Sequence, residues 1–399
     1  MLVQKLRFKR EDGTEYPDWE ETYLNDVCDI IGGGTPSTQN TDYWNGDIQW
    51  FTPAEIGKTK YVSKSVRTIS QAGFEKSSAR ILPVGTILLT SRATLGEMAI
   101  ATIECTTNQG FQSLIPQRIN GEYLYYLQPA IKSYCYKKAC GSTFSEISKG
   151  ELGKCKIPIP CLEEQQKIAD FLSTVDEVIA QSEAEVANLQ QQKKAAMQKI
   201  FSQEVRFKRE DGTSYPEWEN VKFGSLIKEY RDRTSIENED VLLSSAISGM
   251  FLNTELFGHQ RGKSNIGYLK INYGTLILSA QNLHLGNANV NLRFEHGIIS
   301  PAYKTYHITN CNLYFMAQWI KREKTNQFFY NATTVGASQC RRNVDWNALY
   351  KQSILIPHLE EQQKIADFLA TYDEAISCAK QELDKWKELK KGLLQQMFA

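Results

Sequence analysis

LEEQQKIADFL occupies residues 162–172 and again residues 359–369, with all eleven residues identical at an offset of 197. A second pair supports the first. LRFKREDGTEYPDWE at 6–20 returns as VRFKREDGTSYPEWE at 205–219, an offset of 199. The chain of 399 residues is therefore one unit written twice, with blocks at 1–158, 159–204, 205–355 and 356–399. The flanking motifs are nearly identical and the long blocks between them are not. Constant ends around different middles suggest one scaffold carrying two payloads.

The short blocks read as long helices. From Ile168, apolar or small residues recur in steps of four and three through Leu172, Val175, Ile179, Ser182, Val186, Leu189, Lys193, Ala196 and Ile200. The second copy keeps the phase from Ile365 through Leu369, Tyr372, Ile376, Ala379, Leu383, Trp386, Lys390, Leu393 and Met397. This is a heptad stripe. Ile168, Leu172, Ile179, Leu189, Ile365, Leu369, Ile376 and Trp386 are expected on a coiled-coil and docking surface, with Leu162 and Leu359 at the helix starts. Pro160 and Pro357 precede the helices, where proline is harmless. A helix of this length is a rod of about 60 Å. The alternative is two ordinary amphipathic helices, each buried against its own domain.

The lysines in the stripe argue for orientation. A parallel in-register pair would set Lys193 against Lys390, and two buried ammonium groups repel. In an antiparallel pair, with residue numbers summing to 565, Lys193 lies beside Tyr372 and Lys390 beside Val175. Each lysine then lays its stem on an apolar partner. The same arrangement brings Met397-Phe398 near Arg7–Arg10, as Ile200-Phe201 runs on into Arg206–Arg209.

No apolar run approaches the ~20 residues of a membrane span, and the N-terminal MLVQKLRFKRED lacks the apolar core of a signal peptide. A cytoplasmic chain without a membrane partner is expected. Nine cysteines with no CxxC pair give no zinc signature, and no metal site is expected. The net charge of zero resolves by region. Residues 1–160 hold 18 Lys+Arg and 17 Asp+Glu, 161–205 hold 4 and 8, 206–357 hold 18 and 13, and 358–399 hold 6 and 8. The rods are acidic and the second payload mildly basic, which permits polyanion binding by local patches.

Catalytic patterns are absent. GKT at 57–59 and GKS at 262–264 have Thr52 and Phe257 where a phosphate loop needs its first glycine. Gly32-Gly33-Gly34 reads as a turn. Glu163-Glu164 and Glu360-Glu361 sit in the first helical turns, where they favour the positive end of the dipole. The payloads instead carry polar, glycine-punctuated motifs that suggest short strands with loops. They include TSRATLG (90–96), TTNQGF (106–111), LSAQNLHLGNANVN (278–291), ISPAYK (299–304) and VGASQCRRNVDW (335–346). Arg, Asn, Gln, Ser and Thr pair with base edges and phosphates, and are also ordinary loop residues.

Together these motifs resemble the specificity subunit of a type I restriction–modification system, over the whole chain. The strongest signal is IPIPCLEEQQKIADFLSTVDEVI (157–179) repeated as ILIPHLEEQQKIADFLATYDEAI (354–376). The resemblance implies an α+β fold. Two mixed target-recognition domains with short strands would be joined by two long helices in an antiparallel, pseudo-two-fold coiled coil. It implies a non-catalytic subunit whose domains each read one half of a bipartite, asymmetric site in double-stranded DNA. The helices would set the gap and dock methyltransferase (modification) subunits. No cofactor is expected on this chain; S-adenosylmethionine, ATP and Mg belong to the methyltransferase and restriction/translocase partners. Two domains on such a rod would address major grooves about one turn, ~34 Å, apart.

Candidate DNA contacts follow from the motifs. They are Arg92, Thr94, Asn108, Gln109, Thr143 and Lys149 in the first domain, and Gln281, Asn282, Lys304, Arg341 and Arg342 in the second. Capping and turn bonding within the domain is the open alternative for Arg92 and Asn108. A coiled-coil scaffold without DNA specificity, and a stand-alone nuclease with an unrecognised site, remain the other readings of the chain.

Overall fold

The computed structural model describes residues 6–140, 145–258, 264–338 and 341–398, the side chains of 335–338 and 341 excepted. The chain forms two compact units, Met1–Glu183 with Gln381–Ala399, and Ala184–Lys380. The long helices Leu162–Phe201 and Leu359–Phe398 are continuous elements of 40 residues each. Each gives one half to either unit. No helix among the described residues is long and apolar enough to cross a membrane.

The heptad reading holds position by position: every residue of both stripes is buried or half-buried. Ile168, Leu172 and Met397 join the core of the first unit, and Ile200, Ile365 and Leu369 that of the second. Ile376 is also buried, while Ile179, Leu189 and Trp386 are half-buried. Leu162 and Leu359 lie off the stripe, 62% and 53% exposed. Counted back from Ile168, the stripe passes through Gln165 and Cys161 and misses Leu162.

The helices run antiparallel within each unit. In the first, Lys390 Nζ meets Asp176 Oδ1 at 2.5 Å; in the second, Lys193 Nζ meets Asp373 Oδ1 at 2.6 Å. The offset of 197 that relates the two lysines also relates the two aspartates. One ion pair is thus made twice, lysine of one copy to aspartate of the other, once in each unit. The partners sit one residue beyond Val175 and Tyr372. Lys193 is only 16% exposed, and an ammonium so covered gains more from a carboxylate than from an apolar neighbour.

Each payload is closed at its ends by a short antiparallel ladder. Glu20–Tyr23 pairs with Lys156–Ile159 in the first unit, and Glu219–Lys222 with Ser353–Ile356 in the second. Between them, both payloads build the same four-strand order. In the first it runs Cys28–Gly32, Gln112–Pro116, Ile87–Leu89, Met98–Ala101, with Tyr61–Val62 added at the edge. In the second it runs Ile227–Tyr230, Tyr303–Ile308, Leu276–Ser279, Ala288–Val290. All adjacent pairs in these four-strand orders are antiparallel. Ile87–Leu89 and Leu276–Ser279 are buried throughout, as strands covered on both faces must be.

The repeated motifs form one mount, built twice. Glu164 is fully buried at the helix start. It accepts from Arg7 Nη2 at 3.0 Å and Nε at 3.3 Å, and from Trp19 Nε1 at 2.9 Å. Glu361, equally buried, accepts from Arg206 at 2.9 and 3.2 Å. These carboxylates hold the leader segment, a stronger demand than the helix dipole makes. Gln165 Oε1 accepts from Asn120 N at 2.8 Å and Gln166 Oε1 from Asn120 Nδ2 at 2.7 Å. Gln362 and Gln363 repeat this with Asn312, both at 2.7 Å. Asn120 and Asn312 each also cap a helix of their domain. Phe398 packs on Trp19 and Tyr123 in the first unit, and Phe201 on Trp218 and Phe315 in the second. The motif is identical in both copies because every polar residue of Glu-Gln-Gln has a duplicated partner.

Candidate nucleic-acid interface

In the first unit, four segments are laced together at one edge of the sheet. Gly34 N donates to Thr107 O at 2.9 Å, Ser91 N to Gly110 O at 2.8 Å, and Ile147 N to Ser91 O at 3.1 Å. The glycine run is needed for close approach. A Cβ on Gly33 would lie 2.1 Å from Asn108 O, and one on Gly34 2.4 Å from Ala79 N. Gly32 ends its strand and Gly33-Gly34 continue it without a turn, so the run is a packing site under the Thr107–Gly110 loop.

The lacing gathers the first-domain candidates. Arg92 is half-buried, 4.0 Å from Glu146 Oε2. Asn108 Oδ1 accepts from Gly110 N at 2.8 Å, which shapes its own turn. Gln109 is exposed and accepts from the Thr35 hydroxyl. Thr94 is exposed and donates to Pro53 O at 3.2 Å. It follows Ala93, whose φ of 63° is a left-handed conformation rare for a side chain with Cβ. Lys149 is exposed on the strip that carries Ile147. Thr143 lies outside the described residues.

In the second unit, Gln281 and Asn282 are exposed on the loop after Leu276–Ser279. Their backbone N–H groups donate to Ser279 Oγ at 3.4 and 3.1 Å, so their side chains are spared that task. Arg342 donates to Thr333 Oγ1 at 2.7 Å and Thr333 O at 3.0 Å, with its guanidinium 4.0 Å over the Tyr330 ring. His284 lies close enough to feel that charge. Burial lowers its pKa and Arg342 lowers it further, which favours the neutral imidazole. Sequence reading passed over His284, although it stands two residues from Asn282. The backbone of Arg341 belongs to the strand Arg341–Val344, and its side chain lies outside the description.

Lys304 is not gathered with these residues. It is 18% exposed, 2.9 Å from Glu229 Oε2 and 4.4 Å above the Trp346 ring. Glu229 also receives Arg231 at 2.7 Å and the Tyr350 hydroxyl at 3.3 Å. Burial alone would raise the Glu229 pKa, and its bonds to Lys304 and Arg231 turn the net shift downward. This cluster ties the strand Tyr303–Ile308 to its neighbours.

The comparisons with known proteins agree with this frame. The family described as "Type I restriction modification DNA specificity domain" matches residues 16–191 and 182–387. The chain is 37% identical over 238 residues to the type I restriction enzyme MjaIX specificity subunit of Methanocaldococcus jannaschii, covering 56% of this chain and 55% of that one. It is 29% identical to the EcoR124I/EcoR124II specificity subunit of Escherichia coli over 43% of each chain. With the putative MjaX specificity subunit of M. jannaschii it is 26% identical over 98% of this chain and 96% of the other. The chain thus spans about half the length of the first two relatives and nearly all of the third.

Among solved structures, an S subunit of a type I restriction–modification system from M. genitalium shares the fold. Its TM-score is 0.55 at 14% identity, covering 100% of this chain and 99% of that one. A structure described as the basis of complex assembly and conformational transition of the type I R-M system reaches 0.59 at 15% identity, over 96% and 97%. The chain belongs to the type I restriction–modification DNA specificity family and carries two copies of its domain.

Proposed function

We propose that this chain is the non-catalytic specificity subunit of a type I restriction–modification complex. Each target-recognition domain reads one half of a bipartite, asymmetric site in double-stranded DNA. The paired helices set the gap and dock methyltransferase subunits, which methylate adenine with S-adenosylmethionine. Restriction/translocase subunits supply the ATP- and Mg-dependent steps. The observation that carries this reading is the contrast within the duplication. Frame and mount recur in both units, while the polar loops at the sheet edge differ in every candidate contact. Two equal frames with unlike loops are what an asymmetric two-part site demands.

The test is a base-resolution map of adenine methylation in a host expressing the chain with its methyltransferase subunits. A two-part motif with a fixed gap is expected. Exchange of residues 1–158 for those of a relative should change one half only. An unmethylated genome, with the complex assembled and cofactor-bound, overturns the proposal.

A further inference from the structure

A depression of about 370 Å³ opens on the first unit beside the laced loops. Ile31, Ile81 and Ile115 give it an apolar lining, Gly32 borders it, and Arg80 and Lys149 stand among its walls. Both cations are exposed, and neither makes a side-chain hydrogen bond, ion pair or ring contact within the described residues. The carboxylates nearest to Lys149 along the chain are already engaged, Glu146 with Arg92 at 4.0 Å and Glu151 with Lys154 at 3.3 Å, and Glu75, nearest to Arg80, accepts from Gln71 Nε2 at 2.9 Å. Two like charges on one depression without a counter-ion repel unless an anion lies between them. The depression adjoins the candidate contacts. Gly32 begins the run that packs under Thr107–Asn108, and Arg80 follows the Ser78–Ala79 backbone on which Gly34 rests.

We infer that Arg80 and Lys149 hold a DNA phosphodiester at the margin of the half-site read by the first domain, with its deoxyribose over the isoleucine lining. This rests on the proposed DNA-reading function and deepens it by adding Arg80 and assigning Lys149 to backbone rather than base. A free phosphate would leave the apolar floor unused; a sugar–phosphate edge covers it. Phosphate contacts set register and carry no sequence information. Their loss therefore weakens binding to all sequences alike.

The experiment measures equilibrium binding of the full chain, complexed with its methyltransferase subunits, to a duplex bearing the mapped motif and to a scrambled duplex, across a salt series. Each phosphate contact contributes a slope of roughly −0.9 in log K against log salt. Arg80→Ala with Lys149→Ala should flatten the slope by about 0.9 on both duplexes, the share of the one phosphate they hold, with the preference for the motif retained. Arg80→Lys, which keeps the charge, should restore about half of the loss in the Lys149→Ala background. An unchanged slope in the double variant, with wild-type binding still specific, overturns this inference and leaves the larger proposal standing. A wild-type complex without preference for its motif fails the larger proposal instead. Inorganic phosphate competing better than chloride at equal ionic strength, and only with Arg80 and Lys149 present, would assign the depression to a free anion.

Discussion

Removing Arg206 strands a carboxylate. Glu361 is 0% exposed, and Arg206 supplies both of its charged hydrogen bonds, at 2.9 and 3.2 Å. Breaking a buried pair by deleting one partner costs about 3–5 kcal/mol. The Arg206 side chain is 20% exposed, so water can reach part of the vacated space, and the lower end, about 3 kcal/mol, is expected. Arg7→Ala should cost less. Glu164 keeps the Trp19 indole N–H at 2.9 Å, whereas Trp218 Nε1 is buried without a partner among the described residues. A hydrogen bond to a charged group contributes at least about 1 kcal/mol here, which leaves about 2 kcal/mol for Arg7→Ala. For a unit of this size, 1 kcal/mol moves the melting temperature by roughly 2–4 °C. Calorimetry should show Arg206→Ala lowering the transition of the second unit by about 6–12 °C, and Arg7→Ala that of the first by about 4–8 °C. Arg206→Met with Glu361→Met should recover most of the loss, because replacing both partners by apolar residues of similar volume is often neutral. Equal effects of the two arginine variants, or no recovery in the double variant, refute the reasoning.

Asp373→Lys should cost about 1 kcal/mol, since Asp373 is half exposed and the pair is partly screened. Adding Lys193→Asp should restore the stability, and 1 M salt should shrink both effects in thermal melts. The Glu229 pKa lies below its ordinary 4.5, so its contribution is present above that value and lost as pH falls through the depressed one. Lys304→Met should flatten the acid limb of the urea midpoint between pH 6 and 3, and an unaltered limb counts against the assignment. Gly33→Ala would press a Cβ to 2.1 Å from Asn108 O. Overpacking of this kind costs about 1–3 kcal/mol, and weaker DNA binding confined to the first half-site should accompany it.

The division between local and long-range information runs through particular residues. The duplication, the two helices and their seam were legible because a heptad stripe is a short-range signal that repeats. The phase of Lys193 and Lys390 within it even chose the antiparallel arrangement. The family was legible because the mount motif is written twice. The chemistry of that mount was not: the Arg7–Glu164 bond spans 157 positions and the Asn120–Gln165 bond 45, and no local pattern couples them. Likewise two unlike payloads share one strand order because sheet order is set by which buried strands pair. That pairing depends on the alternation of apolar residues, which many sequences satisfy, and not on identity. Lys304 and Arg342 look alike as loop cations in the sequence. Only packing decided that one is an internal strut against Glu229, and that the other stacks on Tyr330 beside His284.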